Sequence, residues 1–460
     1  MSQEGVVIVA VPLPVQGHLN PMLNLSLLLS SRGLDVHYAA PAPHILQARS
    51  RVQGWDAATL TSLHFSVLDI PRAYATAPPD PDHWHAFPCH LQSALDVFCD
   101  HAAAPLRRLL DELAASRRRV VVVHDITVGF PEAEASRLPN GESYALCCLG
   151  QSFCTVLRDP RHPLVSALGL PPPPPESIFT QEFMEMMQRQ RRLGVSGAGL
   201  LLNSFNALEG QFIDACRKGL ARAGGKVFSI GPLNPLLVLG KAPNLRHDCL
   251  EWLDAQPPAS VLYVSFGTMS SLSSMQIQEL ATALHHSEQR FIWVLRDADR
   301  ADEMGEAGES RHAHLLHAFR DKIQGRGVVI TGWAPQLEIL AHGATAAFMS
   351  HCGWNSILES LSHGKPILGW PMHSDQPWNA QYVCNHLRAG IIVRPWEKNR
   401  ETLPATAIQE VIKRAMGSDS DQGIAMGNTA KALAEDARAA VSKGGSSWQD
   451  MEEFIVHVTR

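Results

Sequence analysis

His351, Asn355, Ser356 and Glu359 fall in one short stretch of the chain, and together they could hold a phosphorylated ligand. An apolar run, Ala346–Ser350, precedes His351, and a helical pattern follows Gly353. His351 therefore sits at a strand-to-helix turn, where unpaired N–H groups and partial positive charge favour phosphate. Gly353 is expected to let the backbone approach that phosphate closely. Asn355 and Ser356 supply short donors in the first turn. Glu359 lies four residues after Asn355 on the same face, placed to accept from ribose hydroxyls. Lys365 is the one Lys or Arg between Trp333 and Gln376, so a diphosphate would be held by the helix end, imidazole and hydroxyls. No acidic pair there demands a metal. In the other half of the chain, His18 and Asp125 each follow an apolar run. A histidine with an aspartate behind it is a general base with a fixed tautomer, suited to activating a hydroxyl.

Taken singly, these residues also fit structural roles. Ser356-x-x-Glu359 matches a capping box, Pro335 matches a first helical position, and Trp333 could be core. Their combination at strand ends within one βαβ region favours a site.

The elements that must position them alternate apolar runs with helical segments. Strands are expected at Val6–Val11, Leu34–Tyr38, His64–Leu68, Arg119–His124, Tyr144–Leu149, Leu200–Asn203 and Lys226–Ile230. Asn20-Pro21 reads as the N-cap and first residue of the first helix, with Gly33 closing it. The pattern breaks at Gly231-Pro232-Leu233-Asn234-Pro235 and resumes with Ser260–Phe266, Phe291–Leu295, Val328–Thr331, Ala346–Ser350, Pro366–Trp370 and Gly390–Val393. Runs that are apolar throughout, interleaved with helices, imply parallel sheets covered on both faces. The reading is α/β: two doubly wound, Rossmann-like domains facing across a cleft, with ligands outside the carboxyl ends of the strands. Residues 1–235 form the first domain, 236–247 the linker and 248–444 the second, and a last helix over 445–460 packs by Trp448, Met451, Phe454, Ile455 and Val458. Pro171 to Pro175 is extended, and Asp297 to His314, polar and charged, reads as a mobile loop.

Bulk composition sets the class. At 460 residues and 45% hydrophobic, the chain can bury two cores. A net charge of −6 argues against a nucleic-acid partner. The nine cysteines form no CxxC and no disulfide framework, and Cys147-Cys148 reads as strand packing. No signal peptide and no membrane-length apolar run is present, so a cytoplasmic protein without a membrane partner is expected.

From Trp333-Ala334-Pro335-Gln336, through His351-Cys352-Gly353-Trp354-Asn355-Ser356 and Glu359, to Trp370-Pro371-Met372-His373-Ser374-Asp375-Gln376, the chain resembles the signature box of plant family-1 UDP-dependent glycosyltransferases. The similarity extends to Pro14-x-Gln16-Gly17-His18, Leu202-Asn203-Ser204-Phe205 with Leu208-Glu209, Gly231-Pro232-Leu233 and Val264-Ser265-Phe266-Gly267-Thr268. The resemblance implies a GT-B fold. It implies that Trp333 stacks on uracil while the Ala334 backbone reads its edge, and that Gln336 and Glu359 hold the ribose. Thr268, His351, Asn355 and Ser356 would hold the diphosphate, and Trp354, Asp375 and Gln376 the sugar hydroxyls. A closing Gln376 favours UDP-glucose as donor substrate, with no other cofactor and no metal. His18 and Asp125 match the catalytic pair, implying direct attack with inversion to a β-glucoside. His124 precedes Asp125 and is expected to point to the sheet's other face. One contact on the sugar, from the Cys148–Ser152 segment, stays unassigned.

The acceptor pocket is expected from Tyr74–Cys89, with His83, Trp84, His85 and Phe87, and from residues 151 to about 190. Pro12-Leu13-Pro14-x-Gln16-Gly17-His18-Leu19-Asn20 and Met372-His373-Ser374-Asp375-Gln376-Pro377 resemble zeatin O-glucosyltransferases most. The expected partners are thus a UDP-sugar and a small, largely apolar acceptor, either a zeatin-type cytokinin or, alternatively, a flavonoid or phenolic taking an O- or C-glucoside. The expected working form is a monomer. A catalytically silent UDP-sugar sensor is the rival of another class, set against the intact His18 and Asp125. A dinucleotide oxidoreductase lacks its GxGxxG after the first strand.

Overall fold

The structure, a computed structural model, describes residues 5–52, 60–71, 80, 82, 86–174, 177–194, 197–239, 246–269, 271–296, 319, 322–323, 325–417 and 420–460. Two parallel sheets organise them. The first contains β1 (Val6–Val11), β2 (Asp35–Ala40), β3 (Leu63–Val67), β4 (Arg119–Asp125), β5 (Gly141–Cys147), β6 (Gly199–Leu202) and β7 (Lys226–Ser229), in the order β3-β2-β1-β4-β5-β6-β7. The second contains β8 (Val261–Ser265), β9 (Arg290–Val294), β10 (Gly327–Ile330), β11 (Thr345–Ser350), β12 (Ile367–Gly369) and β13 (Gly390–Ile392), in the order β10-β9-β8-β11-β12-β13. All strand pairs are parallel.

The central strands are apolar because both faces are covered. Every residue of β1 is buried, with Val6, Ile8 and Ala10 in one core and Val7, Val9 and Val11 in another. The strand order reverses between β1 and β4 in one sheet and between β8 and β11 in the other. Such switch points open a crevice at the strands' carboxyl ends. His18 and Asp125 follow or end β1 and β4, and Thr268 and His351 follow β8 and β11. The two-domain, doubly wound architecture is the expected one, and its two crevices are where the candidate residues lie.

The first helix differs from expectation. It spans Gln16–Ser31, with Val15 as N-cap and Pro21 inside it, and does not begin at Asn20. His18 thus stands in its first turn. Proline lacks the N–H that would bond the carbonyl four residues back, that of Gly17. That carbonyl instead accepts the Asn355 side-chain amide from the second domain at 2.7 Å. Gly33 closes the helix with φ +80.

The last helix, Ser446–Thr459, packs on the first sheet. Met451, Phe454, Ile455 and Val458 join the core containing Tyr144 and Phe228. Asp450 accepts the Ser229 N–H at 2.6 Å, and Arg118 donates to the carbonyls of Thr459 and Arg460. Between the sheets, Pro235–Leu239 is helical where a loop was expected. The segment from Asp297 to His314 and the positions of Tyr74, His83, Trp84 and His85 lie outside the described residues. No helix among the described residues is long and apolar enough to cross a membrane.

Candidate active site

β1 and β4 are neighbours with Val11 opposite His124, so residues just beyond them meet. His18 Nδ1 lies 2.6 Å from Asp125 Oδ2. The second carboxylate oxygen accepts the Thr127 N–H at 2.9 Å and the Thr127 hydroxyl at 2.5 Å. Asp125 is fully buried, and His18 keeps a small exposed face. Burial alone would push the Asp125 carboxyl up, but the imidazole and the Thr127 bonds outweigh it and hold the carboxyl below its ordinary range. Burial likewise opposes imidazolium, yet the charge and hydrogen bond of Asp125, with a contribution from Asp375, raise His18 above 6.5. With Asp125 holding Nδ1–H, the lone pair of His18 sits on Nε2, the arrangement of a general base. His124 is buried, its Nδ1 on the Asp125 carbonyl at 2.9 Å, and takes no part in this pair.

The second domain presents its residues across the cleft. Trp333 is 59% exposed, a rare state for indole and a fitting one for a stacking platform. Ala334 and Pro335 lead into the helix Gln336–Ala341, with Pro335 at its N-cap rather than its first position. Gln336 is the centre of a small network. Tyr263 donates to its Oε1 at 3.2 Å, and its Nε2 donates to Glu359 Oε2 at 2.6 Å and to Ser356 Oγ at 3.2 Å. Ser356 and Glu359 are therefore joined to Gln336 and form no capping box, since the helix Trp354–Ser362 starts after an N-cap at Gly353. Burial pushes the Glu359 carboxyl up to about 7.

His351 is packed between two glycines. A Cβ on Gly267 would come within 2.8 Å of its Nε2, and one on Gly353 within 2.6 Å. Gly353 thus makes room for the imidazole, which corrects the expected reason for a glycine there. Burial holds His351 down to about 4, so it is neutral, and its Nδ1 is buried without a hydrogen-bond partner among the described residues. Thr268 follows Gly267, whose φ of +77 turns the chain after β8.

Trp354, Asp375 and Gln376 are more deeply committed than the sequence suggested. The Trp354 indole N–H donates to the Asn203 carbonyl of the first domain at 2.8 Å. A Cβ on Gly150 would come within 3.0 Å of its ring. Trp354 thus spends its polar tip on the domain interface, leaving no indole N–H for a sugar hydroxyl. Gln376 Oε1 accepts the N–H groups of Met372 and His373 at 2.9 and 3.0 Å, shaping the turn before it. Asp375 accepts from Asn379 at 2.7 Å, and burial raises its carboxyl, opposed in part by His18.

Sequence reasoning missed the residues that lock the domains together. Trp378 donates its indole N–H to Ser152 Oγ at 3.2 Å, and Tyr382 donates its hydroxyl to the Leu208 carbonyl at 2.8 Å. Within the first domain, Glu209, at a kink with φ −139 and ψ 27, accepts the N–H groups of Gln151 and Ser152 at 2.9 and 2.7 Å and the Ser204 hydroxyl at 2.8 Å, fixing the segment that Trp378 meets. The Leu208-Glu209 pairing in the sequence was the one signal available. In the unassigned segment, Gly150 has no side chain and Ser152 is taken by Trp378. Gln151, buried beside them, supplies the segment's one side-chain amide. Phe87 stacks on His373 at 4.5 Å, and the Ser374 N–H reaches the Ile178 carbonyl at 3.4 Å, so segments of both domains meet beside the sugar-side turn.

The chain is similar to known proteins along its length. Residues 4–235 match the family description "Glycosyltransferase, N-terminal domain", and residues 239–418 match "UDP-glucoronosyl and UDP-glucosyl transferase". Cis-zeatin O-glucosyltransferase 2 of Zea mays is 54% identical, covering 100% of this chain and 99% of its own. Zeatin O-xylosyltransferase of Phaseolus vulgaris is 36% identical, over 100% of this chain and 99% of its own. UGT2 of Phytolacca americana, solved with UDP-2fluoro-glucose and pterostilbene, superposes with a TM-score of 0.75 at 25% identity, covering 99% of this chain and 100% of its own.

Proposed function

This chain belongs to the UDP-glucoronosyl and UDP-glucosyl transferase family, and from that premise we propose that it moves glucose from UDP-glucose to a hydroxyl of a zeatin-type cytokinin. The observation that carries the catalytic part is the 2.6 Å His18–Asp125 pair, with Asp375 of the second domain near enough to help raise His18. His18 Nε2 takes the acceptor proton as the oxygen attacks the anomeric carbon. UDP leaves from the opposite face, giving inversion from an α-linked donor to a β-glucoside. Asp125 stabilises the imidazolium and forms no covalent intermediate.

In this reading Trp333 and the Ala334 backbone hold uracil, and Gln336 and Glu359 the ribose. The diphosphate lies on Thr268, neutral His351, Asn355, Ser356 and the helix end behind Gly353. Asp375 and Gln376 face the sugar, and Trp354 acts through its backbone and the wall its ring forms. The residue sets include no acidic pair to hold a metal, so charge on the leaving diphosphate is met by dipoles and hydrogen bonds. The enzyme works in the cytoplasm as a monomer, with no membrane or nucleic-acid partner.

The zeatin-type acceptor rests on the two relatives named for zeatin. One transfers glucose and the other xylose by name, so acceptor class and donor sugar need separate tests. Initial rates with UDP-glucose and UDP-xylose against cis-zeatin, trans-zeatin and a flavonol settle both. Fastest glucosylation of a zeatin supports the reading, and a flavonol as best acceptor sinks its cytokinin part.

A further inference from the structure

Cys148 stands directly after β5, beside the two strand ends that carry the catalytic pair. His18, Asp125 and Cys148 each offer a ligand atom, and these atoms lie within 4.8 Å of one another. Imidazole from the first turn of the helix after β1, together with carboxylate and thiolate from the ends of β4 and β5, forms a donor set that suits Zn²⁺ or another thiophilic divalent ion. The carboxylate is already oriented, since Thr127 holds its other oxygen with two hydrogen bonds. Asp125 and Cys148 are buried, while His18 keeps a small exposed face.

We propose that this cluster is an inhibitory metal site: a thiophilic divalent cation bound by His18 Nδ1, Asp125 Oδ2 and Cys148 Sγ silences the base. The consequence rests on the catalytic reading above. In the free protein the proton between His18 and Asp125 is on Nδ1, and Nε2 has the lone pair that accepts the acceptor's proton. A metal on Nδ1 displaces the proton held there, and the imidazole proton moves to Nε2, where it uses the lone pair of the base. The thiol proton leaves to solvent, so one proton is released per ion bound. The bound histidine then has an N–H where the base was, and it can no longer deprotonate a hydroxyl.

The geometry asks for a modest opening. The His18–Asp125 separation of 2.6 Å must widen, because metal–nitrogen and metal–oxygen bonds of about 2.0 Å in a tetrahedron set ligands about 3.3 Å apart. His18 is in the first turn of its helix and can retreat into the cleft. An ion's positive charge deprotonates a coordinating thiol outright. Mg²⁺, which favours octahedral oxygen ligands, should leave the enzyme untouched.

The test uses two readouts on the full chain. Cobalt(II) replaces zinc as a visible probe. Wild type should develop a near-ultraviolet thiolate-to-cobalt charge-transfer band, with one proton released per cobalt. Cys148→Ser and Cys148→Ala should lack the band, and their melting temperatures report whether each variant is folded. Zn²⁺ should inhibit wild-type turnover reversibly, with rescue by chelator. The half-inhibiting concentration should rise at least about tenfold in either variant, the smallest loss seen when even an outer partner of a metal site is removed. No cobalt band in wild type, a band that persists in both folded variants, or equal zinc sensitivity in all three proteins would overturn the proposal. Absence of turnover with every acceptor would instead strike the transferase reading, and the cobalt spectra would still decide the metal site.

Discussion

The side-chain amide of Asn355 donates to the carbonyl of Gly17 at 2.7 Å, and that carbonyl is free because Pro21 stands four residues later in the helix. A proline inside a helix removes one backbone donor. Here the second domain supplies the replacement, one residue from His18. The donor-side helix and the base are thereby joined through a single bond.

Pro21→Ala tests that coupling. Alanine restores an N–H that competes with Asn355 for the Gly17 carbonyl. Asn355→Ala alone leaves that exposed carbonyl to water and should lower stability by at most about 1 kcal/mol, the net worth of a typical hydrogen bond. In the Pro21→Ala background the same change should cost clearly less. A double-mutant cycle read by thermal unfolding measures the difference, and purely additive effects would refute the coupling.

The pH profile follows from the catalytic pair. His18 must be neutral to act, and its pKa is raised, so the acid limb of kcat/KM should have its midpoint above 6.5. Asp125→Asn removes the raising charge and the tautomer lock. The limb should move down in pH while kcat falls on the order of 10²- to 10⁴-fold. A raised folded-state histidine adds stability that is complete below its unfolded pKa and is lost as pH rises through the folded one. Thermal stability of wild type relative to His18→Ala should therefore shrink from pH 6 toward alkaline pH. An acid limb below 6.5 would show that His18 does not govern it.

Much of this site was legible because chemistry in doubly wound sheets falls at strand ends. His18, Asp125, Thr268 and His351 all follow apolar runs, and those runs proved to flank the two switch points. The start of the first helix was misread because Asn-Pro is a strong local opening signal. The contact that serves the carbonyl freed by Pro21, Asn355 to Gly17, spans the two domains and leaves no local trace. The same holds for the Trp354, Trp378 and Tyr382 bonds across the interface. Ser356 and Glu359 had the spacing of a capping box, and only the position of Gln336 shows that both face it instead.

Glu359, pushed up to about 7 by burial, is partly protonated at neutral pH. A ribose hydroxyl donating to it favours the carboxylate, so UDP binding near pH 7 should release a fraction of a proton. Calorimetry in two buffers of different ionisation enthalpy measures it. Glu359→Gln should abolish the release and weaken UDP at least tenfold, since hydrogen bonds to charged groups are worth about 1.5–3 kcal/mol. Undiminished proton release in Glu359→Gln would place its source elsewhere.

The last helix should be indispensable to the first domain. Phe454 is fully buried against Tyr144 and Phe228, with ring centroids 5.1 and 5.5 Å away. Phe454→Ala should cost about 3–5 kcal/mol, and deletion after Gly444 more. Thermal unfolding reads both, and an unchanged melting temperature in the truncated chain would contradict the packing.

The most direct test of the central claim is UDP release from UDP-glucose with a zeatin acceptor, in wild type and His18→Ala, alongside UDP binding to both. The account predicts acceptor-dependent release in wild type that is lost in His18→Ala while UDP binding is kept. Equal release from both proteins would contradict His18 as the base, and no release from wild type with any hydroxylated acceptor despite UDP binding would contradict the transfer reaction itself.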